Sequence, residues 1–261
     1  MARYKITFGD LLVDVYEKSV GQSSRSALFL PGFPATIAEN FVTKLLNQMG
    51  YCVFFPQYPG TYDSGGSFTP RASIEATKTI VTGVSKGEVE NLKNQKTVTV
   101  PSKISLVVGY SFGAYIAARS LPDLPDVNSF LAMSPAFSYG PSTPDMGFSE
   151  EGMKFLSYVE RTRPLTYRLG DGEEWRDFYN GKQNSLQSAK QGSDFEMLVV
   201  AGEQDSSIDA SVLETGLPDF FKRLGGEPGN STLLTVADGG HSISTLESDN
   251  TENAIRHLLK A

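Results

Sequence analysis

The stretch VVGYSFGAYIA, residues 107–117, decides how this chain is read. An apolar run ends at Gly109, Ser111 follows, then Gly113, and Ala114 and Ala117 come at helical spacing. A strand that bends sharply into a helix, with a serine held at the bend, needs small residues two positions to either side of that serine. Gly109 and Gly113 meet this demand, and Ala114 and Ala117 let the helix lie close to the sheet. Gly-x-Ser-x-Gly in this setting is the pattern of a nucleophile elbow. A dinucleotide-binding turn is the nearest competitor, but Ser111 stands where its second glycine would be required.

Outward from the elbow, short apolar runs alternate with amphipathic segments. ALFLPG, YCVFFP, KISLVVG, NSFLAMS, EMLVVAG and STLLTVA are apolar on both faces, which suits central strands of a parallel sheet covered on each side. Upstream, YKITF and LLVDVYE alternate like antiparallel strands with one wet face. TIAENFVTKLLNQMG reads as a helix opened by a capping box of Thr36 with Glu39 and closed at Gly50. Its apolar face would carry Ile37, Phe41, Leu45 and Met49. SIEATKTIVTGV, FGAYIAARSL and NTENAIRHLLK continue the alternation, so the expected fold is α/β, with a mostly parallel sheet, helices on both faces and an antiparallel meander in front. One domain spanning residues 1–261 accommodates it.

The rhythm breaks between the sixth and seventh of these runs. Residues 137–194 are too long for a simple crossover and rich in aromatics, with helical patterns in GMKFLSYVE and EEWRDFYN. They read as a cap or insert over the carboxyl edge of the sheet, or more plainly as crossover helices with a surface loop.

Composition excludes several classes. The chain of 261 residues carries a net charge of −7 and no cluster of Lys and Arg, which argues against nucleic acid as a partner. The N-terminus lacks a signal-peptide pattern and no apolar run could span a bilayer, so a soluble, cytoplasmic protein is expected. The single cysteine, Cys52, lies in YCVFFP and reads as a buried core thiol. Asn230, in a sequon-like NST, reads as coincidence in such a protein. With one cysteine and two histidines, the chain is poor in ligands for most metal sites, and neither metal nor organic cofactor is expected.

A serine hydroxyl is a weak nucleophile unless a base takes its proton. Of the two histidines, His257 lies two positions past Ile255, about 200° from the apolar stripe of the last helix, and reads as solvent-facing. His241, in ADGGHSIS, follows the run STLLTVA on a glycine-rich loop, where a functional group of an open α/β sheet belongs. The run EMLVVAG leads into EQDSSID, which offers Glu203, Asp205 and Asp209 as the orienting carboxylate. Asp205 is preferred because a few residues of turn are needed to swing a side chain toward the histidine loop; Glu203 and Asp209 remain competitors. The order Ser111, Asp205, His241 is that of nucleophile, acid and base. For an oxyanion hole, the backbone N–H of Phe112 is one candidate donor. The turn in ALFLPGFPAT should supply the other: Pro31 and Pro34 have no N–H and Gly32 lies inside the bend, which leaves Phe33.

From about residue 27 to its end the chain resembles the α/β-hydrolase superfamily, with GYSFG as the elbow, PGF as the oxyanion turn, GEQD as the acid loop and GGH as the histidine loop. QYPGTYDSGGSF resembles the family's glycine-rich loop after the fourth strand, where Asp63 would be structural or at the substrate's edge. Many members carry His-Gly at the oxyanion turn; Pro31-Gly32 stands here instead, without the side chain that often braces the turn. The resemblance implies acyl transfer to water on a small ester or acyl substrate, with Ser111 attacking, His241 moving the proton and Asp205 holding the imidazole. Carboxylic esters of modest size are the expected substrates. Peptide and thioester cleavage are alternatives, as is a catalytically silent binding module on the same fold.

Overall fold

The computed structural model describes residues 2–136, 148–179, 195–208, 210–227 and 229–260. Its strands are β1 (Ala2–Phe8), β2 (Leu11–Glu17), β3 (Arg25–Leu30), β4 (Tyr51–Pro56), β5 (Glu88–Asn91), β6 (Lys96–Thr99), β7 (Ile104–Tyr110), β8 (Ser129–Met133), β9 (Glu196–Gly202) and β10 (Ser231–Val236). Eight of them form one sheet in the order β1-β2-β4-β3-β7-β8-β9-β10. The meander β1–β2 and the β2–β4 pairing are antiparallel, and β3 with β4, then β3 through β10, are parallel. The result is a mostly parallel α/β sheet with an antiparallel meander at one edge.

Strands apolar on both faces need cover on both, and two cores supply it. Along β9, Met197, Val199 and Ala201 join one core while Leu198 and Val200 join the other. The first core is closed by α2 (Pro70–Val84), α3 (Phe112–Ser120) and α6 (Ala210–Arg223) through Ile80, Ile116 and Phe220. The second is closed by α1 (Phe41–Gln48) and α7 (Asp249–Leu258) through Leu45, Leu46 and Ile255. Cys52 is wholly buried in the first core, and burial pushes its thiol pKa well up.

The start of α1 differs from the sequence expectation. Residues 36–40 are not helical; Asn40 caps the helix, its side chain accepting from Thr43 N–H at 3.1 Å while Asn40 N–H donates to Thr43 Oγ1 at 2.9 Å. Pro31 and Pro34 favour an irregular path for the preceding segment, and the reciprocal cap forms four residues later than Thr36 with Glu39. A hairpin of β5 and β6 was also absent from the sequence reading: strands of four residues in polar surroundings carry too little alternation to be seen. With that hairpin counted, the insert lies between β8 and β9, and contains α4 (Phe148–Thr162) and α5 (Gly172–Tyr179), which pack on each other. Among the described residues no helix is long and apolar enough to cross a membrane.

Candidate active site

Parallel strands bring their carboxyl ends to one edge, and the turns after β3, β7, β9 and β10 all leave from it. The turn after β7 is the sharp one. Ser111 adopts φ 51° and ψ −118°, a left-handed backbone that costs a residue with a Cβ about 1–3 kcal/mol and persists only where its surroundings enforce it. A Cβ on Gly109 would stand 2.4 Å from Ala114 Cα, and one on Gly113 would stand 2.0 Å from the Leu30 carbonyl oxygen. Both glycines are therefore demanded by backbone approaching backbone. Ser111 N–H donates to the Met133 carbonyl at 2.9 Å, which ties the turn to β8.

The Ser111 hydroxyl lies 3.0 Å from His241 Nε2, and His241 Nδ1 lies 2.9 Å from Asp205 Oδ2. A carboxylate only accepts, so Nδ1 carries the ring proton and Nε2 turns its lone pair to the serine hydroxyl. The other carboxylate oxygen accepts the N–H groups of Ser207 at 2.8 Å and Ile208 at 3.0 Å, which locks the Asp205 side chain. That side chain is fully buried while His241 is about one-third exposed, so the imidazole is orientated from beneath and open above. Glu203 is exposed and makes no hydrogen bond to His241; Asp209 lies outside the described residues. His257 is exposed on α7. Asp63 pairs with Lys5 at the surface, 2.9 Å apart.

Close packing sets the loops that carry Asp205 and His241. A Cβ on Gly202 would stand 2.1 Å from the Gly239 carbonyl oxygen, so the ends of β9 and β10 approach as only glycine allows. Tyr110, the residue before Ser111, donates its hydroxyl to the His241 carbonyl at 3.0 Å and joins elbow to histidine loop. Burial raises the pKa of that phenol, and it remains a donor at neutral pH. Nothing in the sequence marks this bond, which spans 131 positions.

The turn after β3 lies against the elbow: a Cβ on Gly32 would stand 3.0 Å from the Tyr110 ring and 3.2 Å from Ser111 Cβ. Neither Phe33 N–H nor Phe112 N–H has an acceptor among the described residues. The Phe33 ring meets Phe68, Tyr167 and Trp175 at centroid distances of 4.9, 5.1 and 5.3 Å, with Phe155 of α4 at 5.8 Å. Phe33 is thus held in a cluster of aromatic rings drawn from the core and the insert. The described residues include no group of His, Cys, Asp and Glu suited to a metal ion.

One serine, one histidine and one aspartate thus meet on the carboxyl edge of the sheet. The chain belongs to the α/β-hydrolase family, whose sequence pattern matches residues 27–253. No curated protein sequence matches it. Solved structures share the fold at low identity. An esterase from Pyrococcus furiosus is 19% identical with a TM-score of 0.64, over 99% of this chain and 90% of its own. A monoacylglycerol lipase from Paleococcus ferrophilus is 15% identical with a TM-score of 0.61, over 100% and 98%. An epoxide hydrolase from Bacillus megaterium, 14% identical with a TM-score of 0.64, covers 100% of both chains.

Proposed function

We propose that this protein is a serine hydrolase that cleaves carboxylic esters of modest size through an acyl-enzyme. The hydrogen-bonded line from Ser111 through His241 to Asp205, starting at a strained turn, carries the reading. Ser111 Oγ attacks the ester carbonyl carbon as its proton passes to His241 Nε2. Asp205 holds the imidazole and stabilises the cation that forms. Negative charge develops on the former carbonyl oxygen, where the N–H groups of Phe33 and Phe112 receive it. Collapse expels the alcohol, which takes its proton from His241. Water then repeats the sequence on the acyl-enzyme, returning the acid and free Ser111.

The preference for esters rests on the aromatic cluster around Phe33, next to the elbow, which suits an apolar acyl or alcohol group, and on an esterase and a monoacylglycerol lipase among the structures of the same fold. In this reading the described part of the expected cap, residues 148–179, lies over the site; 137–147 and 180–194 lie outside the described residues.

A fluorophosphonate probe, with the modified peptide located by mass spectrometry, tests it. The expected result is one adduct at Ser111, abolished in His241→Ala, with turnover of p-nitrophenyl esters lost by about 10⁴- to 10⁶-fold in Ser111→Ala. A folded protein that takes no adduct and turns over no ester, thioester or anilide overturns the proposal in favour of a binding module.

A further inference from the structure

The turn that would present the Phe33 amide cannot brace itself. Pro31 and Pro34 have no N–H to give, and among the described residues no backbone hydrogen bond closes residues 31–35 on themselves. Tyrosine hydroxyls from elsewhere hold its two ends. Tyr58 donates to the Pro31 carbonyl at 3.1 Å. At the other end the Tyr167 hydroxyl accepts the Ala35 N–H at 2.8 Å and donates to the Ala35 carbonyl at 3.2 Å, and the Tyr62 hydroxyl donates to the same carbonyl.

Tyr167 belongs to the connection between α4 and α5, and its own placement is rigid. Tyr62 N–H donates to Thr166, Arg168 N–H to Gly60, and Phe68 N–H to Arg168, at 2.8, 2.7 and 2.7 Å, so this connection is stitched to the loop after β4 by a short backbone ladder. The Arg168 guanidinium reaches the carbonyls of Tyr62 and Ser64 from the same side. Tyr167 is buried and its ring stands edge-on to Phe33.

We propose that Tyr167, assisted by Tyr62, is a positioning residue that sets the Phe33 N–H for the oxyanion, so that this part of the insert belongs to the catalytic frame. The inference rests on the serine-hydrolase reading above. With Tyr58 fixing Pro31 and Tyr167 fixing Ala35, the amide between them has little freedom left. The tyrosine hydroxyls take over the bracing that Pro31 cannot give. Burial raises the Tyr167 pKa, so the hydroxyl keeps its proton at neutral pH.

Tyr167→Phe removes the hydroxyl and keeps the ring. Hydrolysis of p-nitrophenyl butyrate, normalised to sites titrated by a fluorophosphonate, should show kcat reduced about 10- to 100-fold, below the loss on deleting an oxyanion donor outright, with KM within about twofold. Affinity for an alkyl boronic acid, which forms a tetrahedral adduct on serine, should fall by a similar factor. Tyr62→Phe should lower both by about two- to tenfold, the worth of one hydrogen bond, and carries the test if Tyr167→Phe does not fold. A variant with unchanged kcat per titrated site and unchanged boronate affinity, whatever its melting temperature, overturns the positioning role. A wild-type protein that neither labels at Ser111 nor hydrolyses the ester overturns the serine-hydrolase reading, and this inference with it.

Discussion

The two sides of the candidate site are held by different means. On the side of Ser111, Asp205 and His241, backbone meets backbone: Gly113 against Leu30, Gly109 against Ala114, and Gly202 against Gly239, each too close for a Cβ. On the side of Phe33, side chains do the holding, through the hydroxyls of Tyr58, Tyr62 and Tyr167. The first arrangement is stiff because glycine contacts leave no rotamer to change. The second depends on phenols delivered from the loop after β4 and from the insert, and it can be changed one hydroxyl at a time.

The comparison can be broken at its stiff side first. In Gly202→Ala the new methyl would stand 2.1 Å from the Gly239 oxygen, and backbone, unlike a side chain, cannot turn away. The loops bearing Asp205 and His241 must separate. We expect kcat per titrated site to fall about 100-fold, the scale of a 1 Å misplacement, together with a lower melting temperature. Unchanged turnover in this variant would show that the glycine contact does not set the acid–base geometry.

Tyr110→Phe sharpens the comparison with a smaller effect, because it removes a hydroxyl from the glycine-held side. The bond to the His241 carbonyl is lost while the ring still packs against Gly32. One hydrogen bond is worth about 0.5–1.5 kcal/mol net, so kcat should fall by up to about tenfold with KM nearly constant. A loss matching that of Gly202→Ala would mean that this side also depends on side-chain bonds.

The smallest effect is read from pH. Burial pushes the phenols of Tyr16 and Tyr115 up to about 12, and raises that of Tyr167 as well. A phenol with a raised folded pKa holds its proton more tightly in the folded state. Its contribution to stability is therefore complete below the ordinary value of about 10 and is lost as pH rises through the folded value. The urea midpoint should hold steady to about pH 10 and decline from there toward about pH 12. A midpoint that stays level across that interval would count against the burial of these groups.

Much of this was legible in the sequence, for particular reasons. Strands such as EMLVVAG are apolar on both faces because both faces are covered, and that pattern survives without any knowledge of the partners. The elbow was legible because its Gly-x-Ser-x-Gly spacing is five residues long, although the clash that demands Gly113 is with Leu30, far back in the chain. Asp205 and His241 could be nominated because each follows a strand that ends on the same edge. The start of α1 was misread because Thr36 with Glu39 has the right spacing for a cap, while the two prolines before it favour a different path and Asn40 with Thr43 forms the cap instead. The β5–β6 hairpin was too short to leave a pattern.

By itself, then, the sequence determined the sheet, the sharp turn at Ser111 and the short set of acids and bases that could serve it, since each is written in a pattern a few residues long. Tertiary structure alone decided that Asp205 rather than Glu203 meets His241, that Tyr110 ties elbow to histidine loop, and that Tyr167 reaches Ala35 across 132 positions. A hydrogen bond between side chains and backbone so far apart leaves no periodicity and no spacing to read, because it depends on where the whole chain brings two groups and on nothing local to either.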